Sequence, residues 1–101
     1  MPRMIVSIDG VVIKEVQLTK ERTTLGRRPY NDIVIDNLAV SGEHAVIHMA
    51  EHEVEIEDLG STNGTSVNGK KIDEVAIADN TLIQAGRSDF TFRVIARTIS
   101  E

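Results

Sequence analysis

Three short clusters hold the side chains able to do chemistry: Leu25-Gly26-Arg27-Arg28, Val40-Ser41-Gly42-Glu43-His44-Ala45, and Asp58-Leu59-Gly60-Ser61-Thr62-Asn63-Gly64-Thr65. The Arg27 guanidinium can offer two parallel N–H donors to a phosphate dianion, a geometry that lysine cannot reproduce. Ser41 adds a hydroxyl donor, and Thr62 can add another from the glycine-rich cluster. Arg28 follows directly as a second cation. Asn63 carries both a donor and an acceptor, so it suits gripping a peptide backbone rather than a charge. Taken singly, Arg27 reads as a solvated turn residue and Asn63 as a turn former that tolerates positive φ. Together with their patterned neighbours they read as a receptor for a small anion.

Three other patterns are set aside. Gly64-Thr65-Ser66-Val67-Asn68-Gly69-Lys70 fits the first seven places of a nucleotide-binding phosphate loop. The eighth place, where Ser or Thr must hold magnesium, is Lys71, and no helix follows. His44, His48 and His52 stand four apart. On a strand rising ~3.3 Å per residue, successive ones are about 13 Å apart, too far for one zinc, so no metal site is expected. Ser41 and His44 suggest a nucleophile and base, but Val40-Ser41-Gly42 lacks the Gly-x-Ser-x-Gly elbow, and neither Glu43 nor Asp36 has an orienting role. The expectation is a protein that is not an enzyme and needs no cofactor.

The elements that must position these clusters are strands. Val54 and Ile56 alternate with Glu53, Glu55 and Glu57, which predicts a half-buried strand with one wet face. The run from Glu51 to Asp58 is most simply that wet face and its turn. Phe90, Phe92 and Val94 alternate in the same way, as do Ala45, Ile47 and Met49, while Ile33 and Ile35 stand between Asp32 and Asp36. Asp9-Gly10 and Asn68-Gly69 signal hairpins. Further turns are predicted at Arg28 to Asn31, Asn37 to Gly42, Ala78 to Thr81 and Gly86 to Asp89. No stretch keeps a 3.6-residue apolar period, so little or no helix is expected. Many short strands at close spacing predict an all-β antiparallel sandwich.

A chain of 101 residues predicts one domain, which buries roughly 65% of its unfolded surface. With one Tyr, two Phe and no Trp, the core must be aliphatic. There are no cysteines, so disulfides and thiolate metal sites are excluded. The net charge of −5 argues against non-specific nucleic-acid binding, which runs on basic surfaces. No apolar run reaches membrane-spanning length, and Met1-Pro2-Arg3-Met4-Ile5-Val6 is too short for a signal peptide, so a cytoplasmic location is expected.

The clusters, in this order and spacing, resemble a forkhead-associated (FHA) domain. The resemblance rests on Leu25-Gly26-Arg27 with Asp32-Ile33, Val40-Ser41 with His44-Ala45, Ser61-Thr62-Asn63-Gly64-Thr65, and Val67-Asn68-Gly69, and runs from about Leu18 to Val94. It implies a single domain over residues 1–101, with its core at about 4–96. The implied fold is a sandwich of about eleven short strands with its ligand loops at one end. The implied function is non-catalytic binding of phosphothreonine in partner proteins, downstream of a Ser/Thr kinase. By that resemblance Arg27 and Ser41 bind the phosphate with help from Thr62, and Asn63 holds the peptide main chain. Gly26 and His44 are architectural, and Gly60 and Gly64 give the loop its backbone freedom. A preference for phosphothreonine over phosphoserine implies a small methyl pocket, worth roughly 0.8 kcal/mol or about fourfold.

One position departs from the family pattern, and two neighbours bear on it. The place after the serine often carries a side chain that reaches the ligand, and here it is Gly42. Glu43 then puts a carboxylate near the expected phosphate, repulsive unless it points away, and Arg28 would offset both effects. Ala39, two places before Ser41, lacks polar reach along a peptide. Gly42 and Glu43 favour the alternative of a phospho-independent protein-interaction module on the same fold.

Overall fold

Most of the period-two patterning becomes strands, though Ile35 falls just past the end of its strand. The computed structural model describes residues 2–8, 11–51, 53–78, 81–85 and 90–96, with the backbone alone for residues 2, 8 and 90–96. In chain order the strands are β1 (Pro2–Ile8), β2 (Val11–Gln17), β3 (Arg22–Gly26), β4 (Ile33–Val34), β5 (Ala45–Met49), β6 (Val54–Asp58), β7 (Thr65–Val67), β8 (Lys70–Ile72), β9 (Glu74–Ile77), β10 (Thr81–Ala85) and β11 (Phe90–Ala96). Among the described residues there is no helix.

The strands form two sheets, ordered β2-β1-β11-β10-β7-β8 and β4-β3-β5-β6-β9. Met4, Val6, Ile83 and Ala85 of the first meet Leu25, Ala45, Ile47, Val54, Ile56 and Ile77 of the second in one apolar cluster. Among the described residues this core is aliphatic, in line with the shortage of aromatic residues. Strand β6 shows the wet and dry faces clearly, with Val54 and Ile56 buried and Glu55 and Glu57 half-buried. The alternation fails at the start of β5, where Ala45, Val46 and Ile47 are all buried. Val46 stands between Thr24 of β3 and Glu57 of β6 on the outer face, and these neighbours flank it.

One pairing departs from the antiparallel expectation. Strand β4 runs parallel to β3, with Leu25 opposite Ile33. The connection at residues 27–32 doubles back, so the chain re-enters beside the end of β3. Asp32 fixes this return: its carboxylate accepts from the Thr24 amide at 2.9 Å and from the Lys20 ammonium. Those bonds, Lys20 first, hold its carboxyl below the ordinary range.

The Asn68-Gly69 hairpin joins β7 to β8, with φ of 51° and 84° at its two turn residues. Positive φ at both positions matches the right-handed twist of the flanking strands. At the Ala78 to Thr81 turn, the Thr81 hydroxyl accepts from the Ala78 amide at 3.0 Å and donates to its carbonyl at 2.6 Å. The Asp9-Gly10 turn, the turn from Gly86 to Asp89, residues 79–80, His52 and the side chains of Phe90, Phe92 and Val94 lie outside the described residues.

Candidate anion-binding loops

The three clusters fall in the loops after β3, before β5 and after β6, and hydrogen bonds tie these loops together. The Arg27 amide donates to the Ser41 carbonyl at 2.9 Å, and the Arg28 amide to the Gly42 carbonyl at 3.3 Å. The Thr62 amide donates to Ser41 Oγ at 3.0 Å. Asn63 Nδ2 donates to the Ala39 carbonyl at 3.0 Å. Arg27, Ser41, Thr62 and Asn63 thus share one bonded assembly, with the Arg27 and Arg28 side chains exposed and Ser41 half-buried.

His44 is the hinge pin beneath them, fully buried. Its Nδ1 accepts the Ser41 amide at 3.1 Å, so the ring proton belongs on Nε2, which faces the Gly64 carbonyl at 3.0 Å. Burial pushes its pKa below the ordinary value, which keeps the ring neutral as this bonding needs. Both ring nitrogens are engaged with backbone groups, so His44 is not aimed at the Ser41 hydroxyl as a base.

Gly26 is required by contact, not by φ. A Cβ there would stand 2.2 Å from the Gly42 carbonyl oxygen and 2.7 Å from Asn31 Nδ2. The β3 loop can approach the Ser41 loop this closely only without a side chain. Gly42 has the complementary role, since a Cβ there would meet Arg28 Nε at 2.8 Å and Arg28 Cγ at 3.1 Å. The Arg28 side chain lies across the space that a side chain at position 42 would take. Gly64, at φ 86°, receives the stem of Lys71 from β8 in the same manner.

Two residues important to this assembly do not stand out in the sequence. Asp58, expected to belong to a wet strand face and turn, instead organises the glycine-rich loop. Its carboxylate accepts from the Gly60 and Ser61 amides at 3.0 Å each, from the Ser61 hydroxyl, and from the Thr65 hydroxyl at 2.7 Å. Ser61 Oγ in turn accepts the Gly64 amide at 3.0 Å. Burial alone would raise the Asp58 pKa, but the Ser61 and Thr65 bonds outweigh it and hold the carboxyl below its ordinary range. An Asp with Gly and Ser two and three places on is an Asx-turn signal that could have marked it. Asn31, buried beneath the first loop, donates from Nδ2 to the Arg28 carbonyl at 2.8 Å and the Gly42 carbonyl at 2.7 Å. Its position at the end of a predicted turn was its only mark.

Glu43 is exposed and accepts a hydrogen bond from the Tyr30 hydroxyl at 2.6 Å. That bond, then desolvation and the Glu43 charge, raises the Tyr30 pKa, with Arg28 opposing. His48 belongs elsewhere, pairing Nε2 with Glu57 on the outer face of the second sheet at 2.9 Å. Among the described residues no group of three His, Cys, Asp or Glu is placed to hold a metal ion, and no helix is long and apolar enough to cross a membrane.

Comparison with known proteins matches this arrangement to one family. The FHA domain profile fits residues 23–86. The glycogen accumulation regulator GarA of Mycobacterium tuberculosis is 36% identical over 70 residues, which are 69% of this chain and 43% of GarA. The chain thus spans less than half the length of that relative. A structure solved in a structural and functional analysis of phosphothreonine-dependent FHA domain interactions superimposes with a TM-score of 0.87 at 26% identity, covering 97% of this chain and 98% of that one. M. tuberculosis EmbR in complex with a low-affinity phosphopeptide matches with a TM-score of 0.81 at 32% identity, over 98% of this chain and 26% of EmbR. The sandwich, the order of the loop clusters and these likenesses agree: the chain belongs to the FHA domain family.

Proposed function

We propose that this chain is a non-catalytic module that captures phosphothreonine in a partner protein and so makes a protein–protein contact depend on phosphorylation. The carrying observation is the state of Ser41 Oγ, which already accepts the Thr62 amide. With an acceptor site of the oxygen taken, its own proton is directed to a new acceptor, and a phosphate oxygen suits it. Arg27 supplies a bidentate cation, its backbone fixed to Ser41. Thr62 adds a hydroxyl, and Arg28 adds a second charge from its place over Gly42. Asn63 spends one N–H on Ala39 and keeps its carbonyl oxygen for a peptide amide. Gly26, His44 and Gly64 hold the loops in place. Because the loops are bonded to one another before ligand arrives, little ordering is lost on binding and few contacts suffice.

The likeness to domains solved with phosphothreonine-dependent interactions and with a phosphopeptide supports this reading. A partner phosphorylated by a Ser/Thr kinase and a cytoplasmic setting follow from it. So does an action through binding alone, without a metal, a cofactor, nucleic acid or a membrane. Residues 1–101 are proposed as one such module, with its core at about 4–96. The phospho-independent alternative drew on Gly42 and Glu43, and Arg28 filling the space at Gly42 weakens half of that case.

Calorimetric titration with matched phosphothreonine, phosphoserine and unmodified threonine peptides tests the proposal. Phosphothreonine should bind tightest and threonine not measurably. Arg27→Ala should cost at least tenfold, as expected for about 1.5–3 kcal/mol lost with a charged hydrogen-bond partner. Equal binding of all three peptides, or an Arg27→Ala variant with intact phosphopeptide affinity, would sink it.

A further inference from the structure

Beside the phosphate-binding side chains stands a pair that the capture of phosphate does not use. Tyr30 is 63% exposed, and its hydroxyl donates to Glu43 Oε2 at 2.6 Å. The two come from the same loops that carry Arg27 and Ser41, Tyr30 three places after the first and Glu43 two after the second, which sets the pair beside the proposed phosphate site. Glu43 takes part in none of the ion pairs found among the described residues, which join Arg3 to Glu15, Lys20 to Asp32 and His48 to Glu57. One of its oxygens is occupied by the Tyr30 hydroxyl, and the residue is exposed.

We infer that Tyr30 and Glu43 form a receptor for a lysine or arginine side chain flanking the phosphothreonine of the peptide. The inference rests on the phosphothreonine reading above. A carboxylate two residues from the phosphate-binding serine repels every phosphopeptide that reaches the site. A cation carried by the peptide turns that penalty into an attraction. The aromatic ring beside the carboxylate adds a face on which an ammonium or guanidinium can rest. The Tyr30 hydrogen bond fixes the carboxylate at the rim, so the cation meets a placed charge and not a freely moving one. The molecule as a whole favours the same ligand, because its net charge of −5 draws basic peptides and slows acidic ones. Arg28, nearby, is neutralised by the phosphate and leaves Glu43 as the unanswered charge of the rim.

The test uses fluorescence anisotropy with phosphothreonine peptides in which one flanking position at a time is Lys, Ala or Glu. At a position on one side of the phosphothreonine, Lys should bind about two- to fivefold tighter than Ala, and Glu weaker than Ala, as expected for one exposed ion pair. In Glu43→Gln the Lys preference should vanish, and the Ala-flanked peptide should bind more tightly because a repulsion is gone. Tyr30→Phe should narrow the spread between Lys and Glu without removing it. Both side chains are exposed, so neither change threatens folding. Phosphate-dependent binding that ignores the flanking charge, or a Lys preference that survives Glu43→Gln, overturns this inference alone. Loss of all difference between phosphorylated and unmodified peptides overturns it together with the phosphothreonine reading.

Discussion

The side chains proposed to face a ligand are legible in the sequence because their chemistry is in their type, whereas two that hold the loops, Asp58 and Asn31, are not. A guanidinium and hydroxyls clustered with glycines point together to anion binding before the fold is known. Asp58 and Asn31 act on backbone amides and carbonyls, and only the folded loops say which ones lie in reach. Gly26, architectural by the family resemblance, owes that role to close contact between loops, which no local pattern shows. Gly26→Ala should therefore destabilise by about 2–3 kcal/mol, as overpacking against backbone does. Gly60→Ala, at φ 72° with open space around it, should cost only about 1 kcal/mol for the backbone conformation. Urea denaturation of the two variants checks the contrast, and equal costs would contradict the close-contact role. Asp58→Asn, which keeps the shape but not the charge, should lose about 2 kcal/mol by the same measurement.

Strands and their wet faces followed from period two, since alternation is a local property that burial on one face imposes. The pattern misled where a strand is covered on both sides, as at Val46, and where register is set by tertiary bonds, as for parallel β4. The Asn68-Gly69 hairpin was legible because the turn itself needs residues that accept positive φ. It also reaches beyond itself: Asn68 exchanges hydrogen bonds with Leu82 of β10, and Lys71 of β8 packs on Gly64 in the candidate site. Asn68→Ala should lower stability by about 1–2 kcal/mol, because alanine resists this conformation and the side-chain bond is lost. Asn68→Gly keeps the turn and should cost less, and thermal melts of the two variants compare them. If alanine and glycine prove equivalent there, the turn does not carry the strain assigned to it.

For the molecule as a whole, buried His44 and half-buried Asp58 set the pH window of stability. Folded His44 holds its proton less tightly than the ordinary pKa of 6.5, so on acidification the unfolded chain protonates first. Its contribution is constant above 6.5 and falls below that value, by up to about 1.4 kcal/mol per pH unit. Asp58 titrates below the ordinary 3.8, so its contribution is present above 3.8 and is lost as pH falls through the folded value. Chemical denaturation between pH 7.5 and pH 3 should show a first decline starting near 6.5 and a second in strong acid. A curve flat down to pH 5 would contradict the neutral, doubly bonded His44. The pairing of β1 with β11 bears on how the molecule comes to exist at all. Pro2 lies opposite Ala96, so the second strand of the first sheet's order and the third are the earliest and latest parts of the chain described. A nascent chain leaving the ribosome can form the β3–β5–β6 meander early, but the first sheet stays unfinished until residues 90–96 emerge. Binding competence then arrives late in synthesis, and truncation before residue 90 should yield chains that fold slowly or associate through the open edge of β1.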